Sequence, residues 1–594
     1  MSEPKVEGGN GHPTVKFTFE GQAVKALRGQ TVAGALVAHG LWNLGNSRSR
    51  RQPRGAFCAA GWCSSCLVSI DGQYGRLACT TVAGEDMAVH KQVEDPGFEP
   101  VAVVPTEDIP IEVDVAIVGS GIAALAAAAD LAVAGAHVAI FEELPQLGGD
   151  ELCSSEPLGL GGDDTVGEAM SRLLSRIDDL GVRTYSSSQV LGKLGEDPLV
   201  ALVGGVYAEV TAQCYVWAEP ARAMPLLFEG WTRPGVVSGG ALRRLLTKED
   251  VAAGGRLLVI GWTDEALWTA REWVNRGGGE AVILPAGHAA ESNPMSQRWL
   301  KWQEGRDLLK GLPQSVSKVA SSRLRLEPSL KIVAAAGEDR VRMARLLDTD
   351  SHKKVQLECE AIAVCHRSVA AVEPFELMGC VLRHSPALGG WVPTCGDDLQ
   401  TSRTGIFAAG ASAGVASADC YLLTGKIAAA GALRLLESSL RTVPQPSRAY
   451  LPGLWEKLGE VSPPTQIAAR RSQDVVPDTP ASGPIADGQL QDWTVVCRCE
   501  DITIADINDA LKSGARSADD VKRLTRCGMG PCQWRNCREL VAEIMSSHLG
   551  VGEASLPRPR VRFPLRPVGL GVLMSPHSAG RATRSVLSEI DEHA

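Results

Sequence analysis

The chain has 594 residues, of which 44% are hydrophobic and 22% charged, and its formal net charge is −10. This is an ordinary globular composition, so it excludes a disordered or fibrous chain, and the acidic balance gives no global basis for nucleic-acid binding. At about 150 residues per domain, the length corresponds to roughly four domains.

The first residues, MSEPKVEGGNGHP, are polar and lack the apolar core of a secretory signal. The most apolar stretch, Ile122 to Ala136, carries Asp130 and starts inside a Gly motif, so it is too short and interrupted to span a bilayer. The expectation is a cytosolic chain whose 16 Cys meet a reducing environment, where close spacings point to metal or redox chemistry. Nine of the 16 fall in two tight groups, one near each end. The other seven (Cys153, Cys214, Cys359, Cys365, Cys380, Cys395 and Cys420) are scattered and read as small buried hydrophobes.

In chain order, Val15 to Phe19 alternates like a strand, Gly21-Gln22 turns it, and Thr31 to His39 reads as a short helix. The first cysteine group follows: Cys58, Cys63, Cys66 and Cys79, spaced C-x4-C-x2-C-x12-C. This matches the plant-type [2Fe–2S] pattern, in which three thiolates come from one loop wrapped around the cluster and the fourth comes later. Gly55 and Gly61 allow that backbone a close approach. Asp71-Gly72, after the run Leu67 to Ile70, signals a hairpin leading to Cys79. A structural zinc site more often shows two C-x2-C pairs, which this loop does not.

The central region opens with the apolar strand Val113–Val118, which runs into Gly119-Ser120-Gly121 and a helix from Ile122 to Ala134. A second strand, Val138–Phe141, ends at Glu142, 23 residues after Gly119. This strand, Gly turn, helix, strand and acid order is the dinucleotide fingerprint: glycines let the backbone approach a pyrophosphate at the helix N-terminus, and the acid accepts ribose hydroxyls. Ala123 and Ala124 complete the turn. A second nucleotide fold begins at Arg256-LLVI-Gly261, but Trp262-Thr263-Asp264 stands where a second Gly is needed. An indole blocks close backbone approach, and Asp264 would satisfy the helix donors and repel a phosphate. This second site is therefore expected to be lost. Five Trp between 262 and 302 suggest a surface turned over to packing or to a partner.

Residues 441–492 hold many Pro and read as a partly extended linker. The second cysteine group is Cys497-Arg-Cys499, then Cys527, Cys532 and Cys537: five thiols for four ligand places. Either C-x-C-x32-C-x4-C or C-x-C-x27-C-x4-C fits, the second using Cys527 and Cys532. The tail Pro557-RPRVRFPLRP-Val568 is basic and Pro-rich and reads as an extended arm docking on another surface.

Several of these segments carry a family resemblance. GQTVAGALVAHGLW, NSRSRRQPRG and FCAAGWCSSCLVSIDG resemble the ferredoxin-like module of heteromeric amine-oxidising flavoenzymes, the hydrogen cyanide synthase, opine oxidase and sarcosine oxidase alpha type. VVCRCEDITIADINDAL and VKRLTRCGMGPCQWRNC resemble the small helical [2Fe–2S] domain of bacterioferritin-associated ferredoxin. There the second pair follows the first by just over thirty residues, which favours Cys532 and Cys537 over Cys527. Leu147-Gly148-Gly149, Gly230-WTRPG-Val236 and Thr404-GIFAAGASAGVASAD-Cys420 resemble flavoproteins with two dinucleotide domains. Two departures touch the flavin half of the site: Ala218-Glu219-Pro220 replaces Ala-Thr-Gly, and Gly410-Ala411 replaces Gly-Asp.

The expected architecture is multidomain α/β. A β-grasp ferredoxin-like domain spans about 1–95, and a Rossmann-like flavoprotein with two dinucleotide-binding domains, the second degenerate, spans 112–440. The linker, a small helical [2Fe–2S] domain at 493–550 and the tail at 551–594 follow. The implied cofactors are two [2Fe–2S] clusters on Cys58, Cys63, Cys66 and Cys79 and on Cys497, Cys499, Cys532 and Cys537. FAD, or another adenine nucleotide, is implied at Gly119, Ser120, Gly121, Ala123, Ala124, Glu142, Gly149, Gly410 and Ala411. The resemblance implies an electron-relaying subunit with no catalytic residue of its own. Its partners would be an acceptor protein or quinone and an FAD-dependent amine-oxidising beta-type subunit, in the cytoplasm or peripheral to the inner membrane face. The alternatives are a stand-alone NAD(P)H-dependent reductase and a cluster-carrying scaffold that binds only an adenine nucleotide.

Overall fold

The structure is a computed structural model that describes residues 13–92, 109–156, 158–160, 164–286, 323–437, 447–462, 464–471 and 490–569. The chain forms two compact units, each assembled from three stretches of sequence. One draws on 1–96, 223–368 and 477–559; the other draws on 97–222, 369–476 and 560–594. Both cysteine groups and the second nucleotide fold lie in the first unit, and the Gly119 fingerprint lies in the other.

In the first unit, the N-terminal module is a five-stranded sheet crossed by one short helix. Strand Thr14–Phe19 pairs antiparallel with Gln22–Leu27 and parallel with Ala88–Lys91. Helix Val32–Ala38 starts at Thr31, whose hydroxyl accepts from Gly34 N and satisfies one of the open amides of the first turn. Asp71 and Gly72, at φ 50° and 77°, form the tight turn between Leu67–Ile70 and Gln73–Leu77. This primed-turn geometry matches the strand twist, as the Asp-Gly signal predicts.

The second nucleotide fold is a five-stranded parallel sheet built from Val236–Ser238, Ala361–Val364, Leu257–Ile260, Ala281–Leu284 and Leu324–Leu326. Its central strands are buried on both faces, as parallel strands covered by helices must be. Its core continues without a break into the N-terminal module, where Val37, Trp42 and Ala59 join Val237, Leu242 and Val259 in one cluster. Of the five Trp expected to mark a surface, Trp273 is buried in this core and Trp262 packs against it, while Trp299 and Trp302 lie outside the described residues.

The C-terminal module packs three helices, Ile504–Lys512, Ala518–Thr525 and Arg538–Leu549. The first two open on capping boxes, Thr503 with Asp506 and Ser517 with Asp520.

In the other unit, a parallel run Arg183–Tyr185, Val138–Phe141, Ile109–Val118 and Val206–Trp217 carries the fingerprint, with Ile406–Ala408 also beside Val206–Trp217. Helix Ile122–Val133 lies against helix Ala418–Leu436 so tightly that a methyl at Gly425 would sit 2.1 Å from the Ala123 carbonyl oxygen. The Pro-rich stretch departs from the extended reading. Residues Ser447–Val461 and Pro464–Arg471 are helical. Leu451, Leu454, Trp455 and Leu458 recur at helical spacing and are buried, and that burial outweighs the cost of Pro452 inside the helix.

Within the first unit, Asp501 ties the N-terminal module to the C-terminal one. One carboxylate oxygen accepts from Ser49 N at 2.9 Å and Arg50 N at 3.0 Å; the other accepts from Arg54 Nη2 at 2.6 Å. The side chains of Arg54 and Asp501 are 7% and 1% exposed, so each buried charge depends on the other. Asp501→Ala is expected to cost about 3–5 kcal/mol of stability in urea unfolding. A loss below about 1 kcal/mol, the worth of an exposed pair, would contradict this role.

Candidate metal centres and nucleotide site

The N-terminal cysteine loop is built for close convergence. Ala59, Gly61 and Ser64 have positive φ, at 49°, 79° and 53°, which coils the loop tightly between Cys58 and Cys66. Cys58, Cys63, Cys66 and Cys79 are all buried. Cys58 is within hydrogen-bonding reach of Cys63 and Cys79, and Cys79 of Cys66. Ala60 N donates to Cys58 Sγ at 3.4 Å. Burial pushes the Cys58 thiol up to about 12 and lifts Cys63 well above the ordinary thiol range. Buried thiols in mutual contact, with Cys58, Cys63 and Cys79 resisting ionisation on their own, fit the donor set of a metal centre whose ions supply the missing positive charge.

The C-terminal group brings all five of its thiols together. The sulfurs of Cys497, Cys527 and Cys537 lie within 4.8 Å of one another, and Cys527 Sγ is 3.9 Å from Cys537 Sγ. Cys499 and Cys532 form a second hydrogen-bonded pair. Hydrogen bonds from Cys527 and Cys537 pull the Cys497 thiol well down. Cys527, which the family resemblance sets aside as a neighbour, therefore shares the same sulfur-rich pocket. Gln533 and Trp534, in the loop between Cys532 and Cys537, hold positive φ of 47° and 71°.

The two cysteine groups are also linked within their unit. Asn536 Nδ2 donates to the Cys63 carbonyl at 3.1 Å, and Trp231 Nε1 donates to the Val495 carbonyl at 2.6 Å. Ser238 N, at the end of the first strand of the second nucleotide fold, donates to the Phe57 carbonyl at 2.9 Å. Phe57 packs edge-on against Trp62 and Trp231, with centroids at 6.2 and 6.0 Å. Arg498, between the two ligand candidates Cys497 and Cys499, places its guanidinium carbon 4.8 Å from the Phe57 ring and 5.1 Å from the Trp231 ring.

At the nucleotide fingerprint, Gly119 has φ 101°, and a methyl there would stand 2.4 Å from the Ala218 carbonyl oxygen. Glycine is thus required both by conformation and by the strand alongside. Ser120 Oγ accepts from Gly148 N at 2.9 Å and donates to Glu142 Oε2 at 2.6 Å, while Leu144 N donates to Glu142 Oε1 at 2.8 Å. Glu142 is thereby held at the end of its strand, the place from which the acid of a dinucleotide fingerprint meets the ribose. Gly149 has φ 53° in the turn just after Gly148. Ala123 and Ala124 are buried, and a methyl on Gly410 would come 2.9 Å from Ala123 Cβ. Gly410 and Ala411 form a short turn after Ile406–Ala408, with Gly410 N donating to Thr424 Oγ1 at 3.0 Å.

Two side chains here escape sequence reading. Glu151 Oε2 accepts from Ile122 N at 2.9 Å, the amide that opens the fingerprint helix, where a pyrophosphate oxygen would rest. Arg566, from the tail, pairs with Glu143 at 3.0 Å and Glu219 at 3.2 Å. The tail is an extended arm, as its prolines suggest, but it docks on this chain, with Leu565 N donating to the Leu191 carbonyl at 2.7 Å. At the second nucleotide fold, Thr263 Oγ1 accepts from Ala266 N, and Asp264 and Glu265 occupy the first helical turn. The helix N-terminus is already capped and negatively charged.

Known domain families match the same segments. Residues 12–94 match the 2Fe-2S iron-sulfur cluster binding domain, 495–547 the BFD-like [2Fe-2S] binding domain, and 117–164 the NAD(P)-binding Rossmann-like domain. An opine oxidase subunit of Agrobacterium tumefaciens (strain Ach5) is 25% identical over 494 residues, 80% of this chain and 93% of that protein. Hydrogen cyanide synthase subunit HcnB of Pseudomonas aeruginosa is 25% identical over 478 residues, 76% of this chain and 96% of that one. Subunit HcnA of the same organism is 44% identical over 74 residues, 12% of this chain and 70% of that one. The crystal structure of L-proline dehydrogenase from P. horikoshii shares the fold, with TM-score 0.72, 21% identity and coverage of 96% of this chain and 99% of that one.

The chain belongs to the family of hydrogen cyanide synthase subunits, and it is similar to opine oxidase subunits along most of its length.

Within that family's architecture, this chain carries two [2Fe–2S] domains and a Rossmann-like fold that fits FAD. The converged thiols of each group fit an iron–sulfur cluster on donor chemistry alone. The Gly119 turn and Glu142 fit the adenosine half of a dinucleotide, which must displace the Glu151 carboxylate to reach the helix amides. Glu151→Gln is expected to tighten nucleotide binding several-fold by removing a like charge from the phosphate subsite. Calorimetry with FAD and with ADP checks this, and weaker binding by the variant would contradict it.

Proposed function

We propose that the chain is the electron-transferring iron–sulfur flavoprotein component of a heteromeric amine or amino-acid dehydrogenase of the opine or glycine type. The observation that carries this reading is the convergence of both cysteine groups in one unit, in a chain that resembles an opine oxidase subunit along most of its length. A FAD-dependent beta-type partner would carry out the C–N oxidation, and the acceptor would be a protein or a quinone. The setting would be the cytoplasm or the inner membrane face; no helix among the described residues is long and apolar enough to cross a membrane. Cys58, Cys63, Cys66 and Cys79 would hold one cluster, and Cys497, Cys499, Cys532 and Cys537 the other, with Cys527 as the adjoining fifth thiol. When bound, a flavin takes up an electron pair and each cluster carries single electrons. The protein's share is to exclude water around the thiolates, hold them in register and position the nucleotide with Gly119, Ser120 and Glu142.

A stand-alone NAD(P)H reductase is disfavoured by Thr263, Asp264 and Glu265 at the second helix N-terminus. The reading in which the first site holds only an adenine nucleotide has Arg566 behind it, because that residue ties down Glu219 where related flavoproteins carry Ala-Thr-Gly. Chromatography of the nucleotide released from purified protein separates FAD from a nucleotide without flavin.

Two expectations follow. The purified single chain, with clusters loaded, reduces dyes negligibly with any amine and is not bleached by NADH in stopped flow. Rapid bleaching by NADH, or robust amine turnover without a partner, would contradict the reading. Cys63→Ser and Cys499→Ser should each remove one of two reduced-cluster EPR signals and about half of the iron. Cys527→Ser should retain both signals where Cys537→Ser loses one; the reverse pattern would reassign the ligand.

A further inference from the structure

Arg498 is a buried cation, 3% exposed, and its Nε and Nη1 have no hydrogen-bond partner in the protein. Only Nη2 reaches an acceptor, the Thr232 carbonyl at 3.4 Å. Leaving two guanidinium donors dry and unpaired is costly, so such a group calls for an acceptor. The surroundings say which one. Phe57 and Trp231 hold the guanidinium at 4.8 and 5.1 Å, fixing its plane and shutting out water. Arg498 stands between Cys497 and Cys499 of one cysteine group, and its guanidinium lies on the ring of Phe57, the residue before Cys58 of the other. The second cation here, Arg54, is paired with Asp501. Arg498 thus faces both groups and is committed to neither.

We infer that Arg498 is a positioning and tuning residue shared by the two cluster sites, donating its unpartnered N–H groups to sulfur on both and raising both reduction potentials together. This rests on the reading that each cysteine group holds a [2Fe–2S] cluster. Such a cluster with four thiolates is a net dianion when oxidised, and one-electron reduction makes it a trianion with no bond formed or broken. A guanidinium in a dry site stabilises the more negative state of whichever cluster holds the electron. One residue acting on both clusters keeps their potentials matched, so that a single electron passes from one to the other, oxidising the first and reducing the second, without a large energy step. A guanidinium suits this role better than an ammonium, because its planar fork presents separated donors.

The test uses the full chain purified without oxygen, with iron and sulfide measured first. Lack of iron in the unmutated protein would overturn the cluster reading and this inference with it, before any variant is made. In EPR-monitored potentiometry, Arg498→Gln should shift the reduction equilibrium of both clusters at least tenfold toward the oxidised form, which is about 59 mV for a one-electron couple. Arg498→Lys should recover part of the shift. Fully loaded variants with both midpoints unchanged, or with only one moved, would overturn the proposal. A second measurement needs no variant. Protein grown with guanidino-15N arginine should show 15N couplings on both reduced clusters by electron spin echo envelope modulation. Absence of coupling on either cluster would overturn the proposal even if the variants fail to load iron.

Discussion

The rest of this structure depends on one constraint: thiolates from opposite ends of the sequence must be gathered in a dry interior and kept anionic there. Burial alone forbids this, as the upward push on the Cys58 and Cys63 thiols shows. Charge has to come from metal ions and from cations brought in by the protein. The first unit supplies both a frame and a cation. The frame is the second nucleotide fold, whose parallel sheet shares its core with the N-terminal module through Val37, Trp42 and Ala59. The cation is Arg498, carried by the C-terminal module itself.

The second nucleotide fold keeps its scaffold but has a capped helix N-terminus where a phosphate would rest. Its sheet and helices persist, because a parallel sheet covered on both faces is a stable unit in its own right. What differs is the turn at the helix N-terminus. Gly261 still makes its close approach, since a methyl there would lie 2.3 Å from the Cys365 carbonyl, but Thr263 and the acids after it close the helix terminus. The fold is also the part to which both cysteine modules are fastened, by Glu249 accepting from Thr31 N at 2.8 Å and by Trp231 donating to Val495. The fingerprint of the other unit, by contrast, keeps both the conformation of its Gly119 turn and its acid, and fits a dinucleotide.

Much of this was legible from residues alone, for identifiable reasons. Spacing within one loop foretells convergence, so the gathering of Cys58, Cys63 and Cys66 could be read directly, and the Gly119 to Glu142 run carries its own secondary structure. Asp71-Gly72 specified its turn because few residues tolerate that backbone. Long-range placement was not legible. Nothing local in Asp501 announces that Ser49, Arg50 and Arg54 will point at it. Arg498 lies in plain view between two cysteines, yet its role depends on Phe57 and Trp231, hundreds of positions away. Prolines misled at Ser447–Val461, where the apolar spacing of Leu451, Leu454, Trp455 and Leu458 was the stronger signal. Glu151 and Arg566 were hidden because an acid in a loop and an arginine in a tail have many uses.

Two iron–sulfur clusters held in one folded unit, with a guanidinium between them, must sense each other. The most direct measurement is the power saturation and line splitting of both EPR signals in the fully reduced, unmutated chain, compared with protein in which only one cluster is reduced. The predicted result is that each signal relaxes faster and broadens when its neighbour is also reduced. Two signals that ignore one another at every reduction level would contradict it.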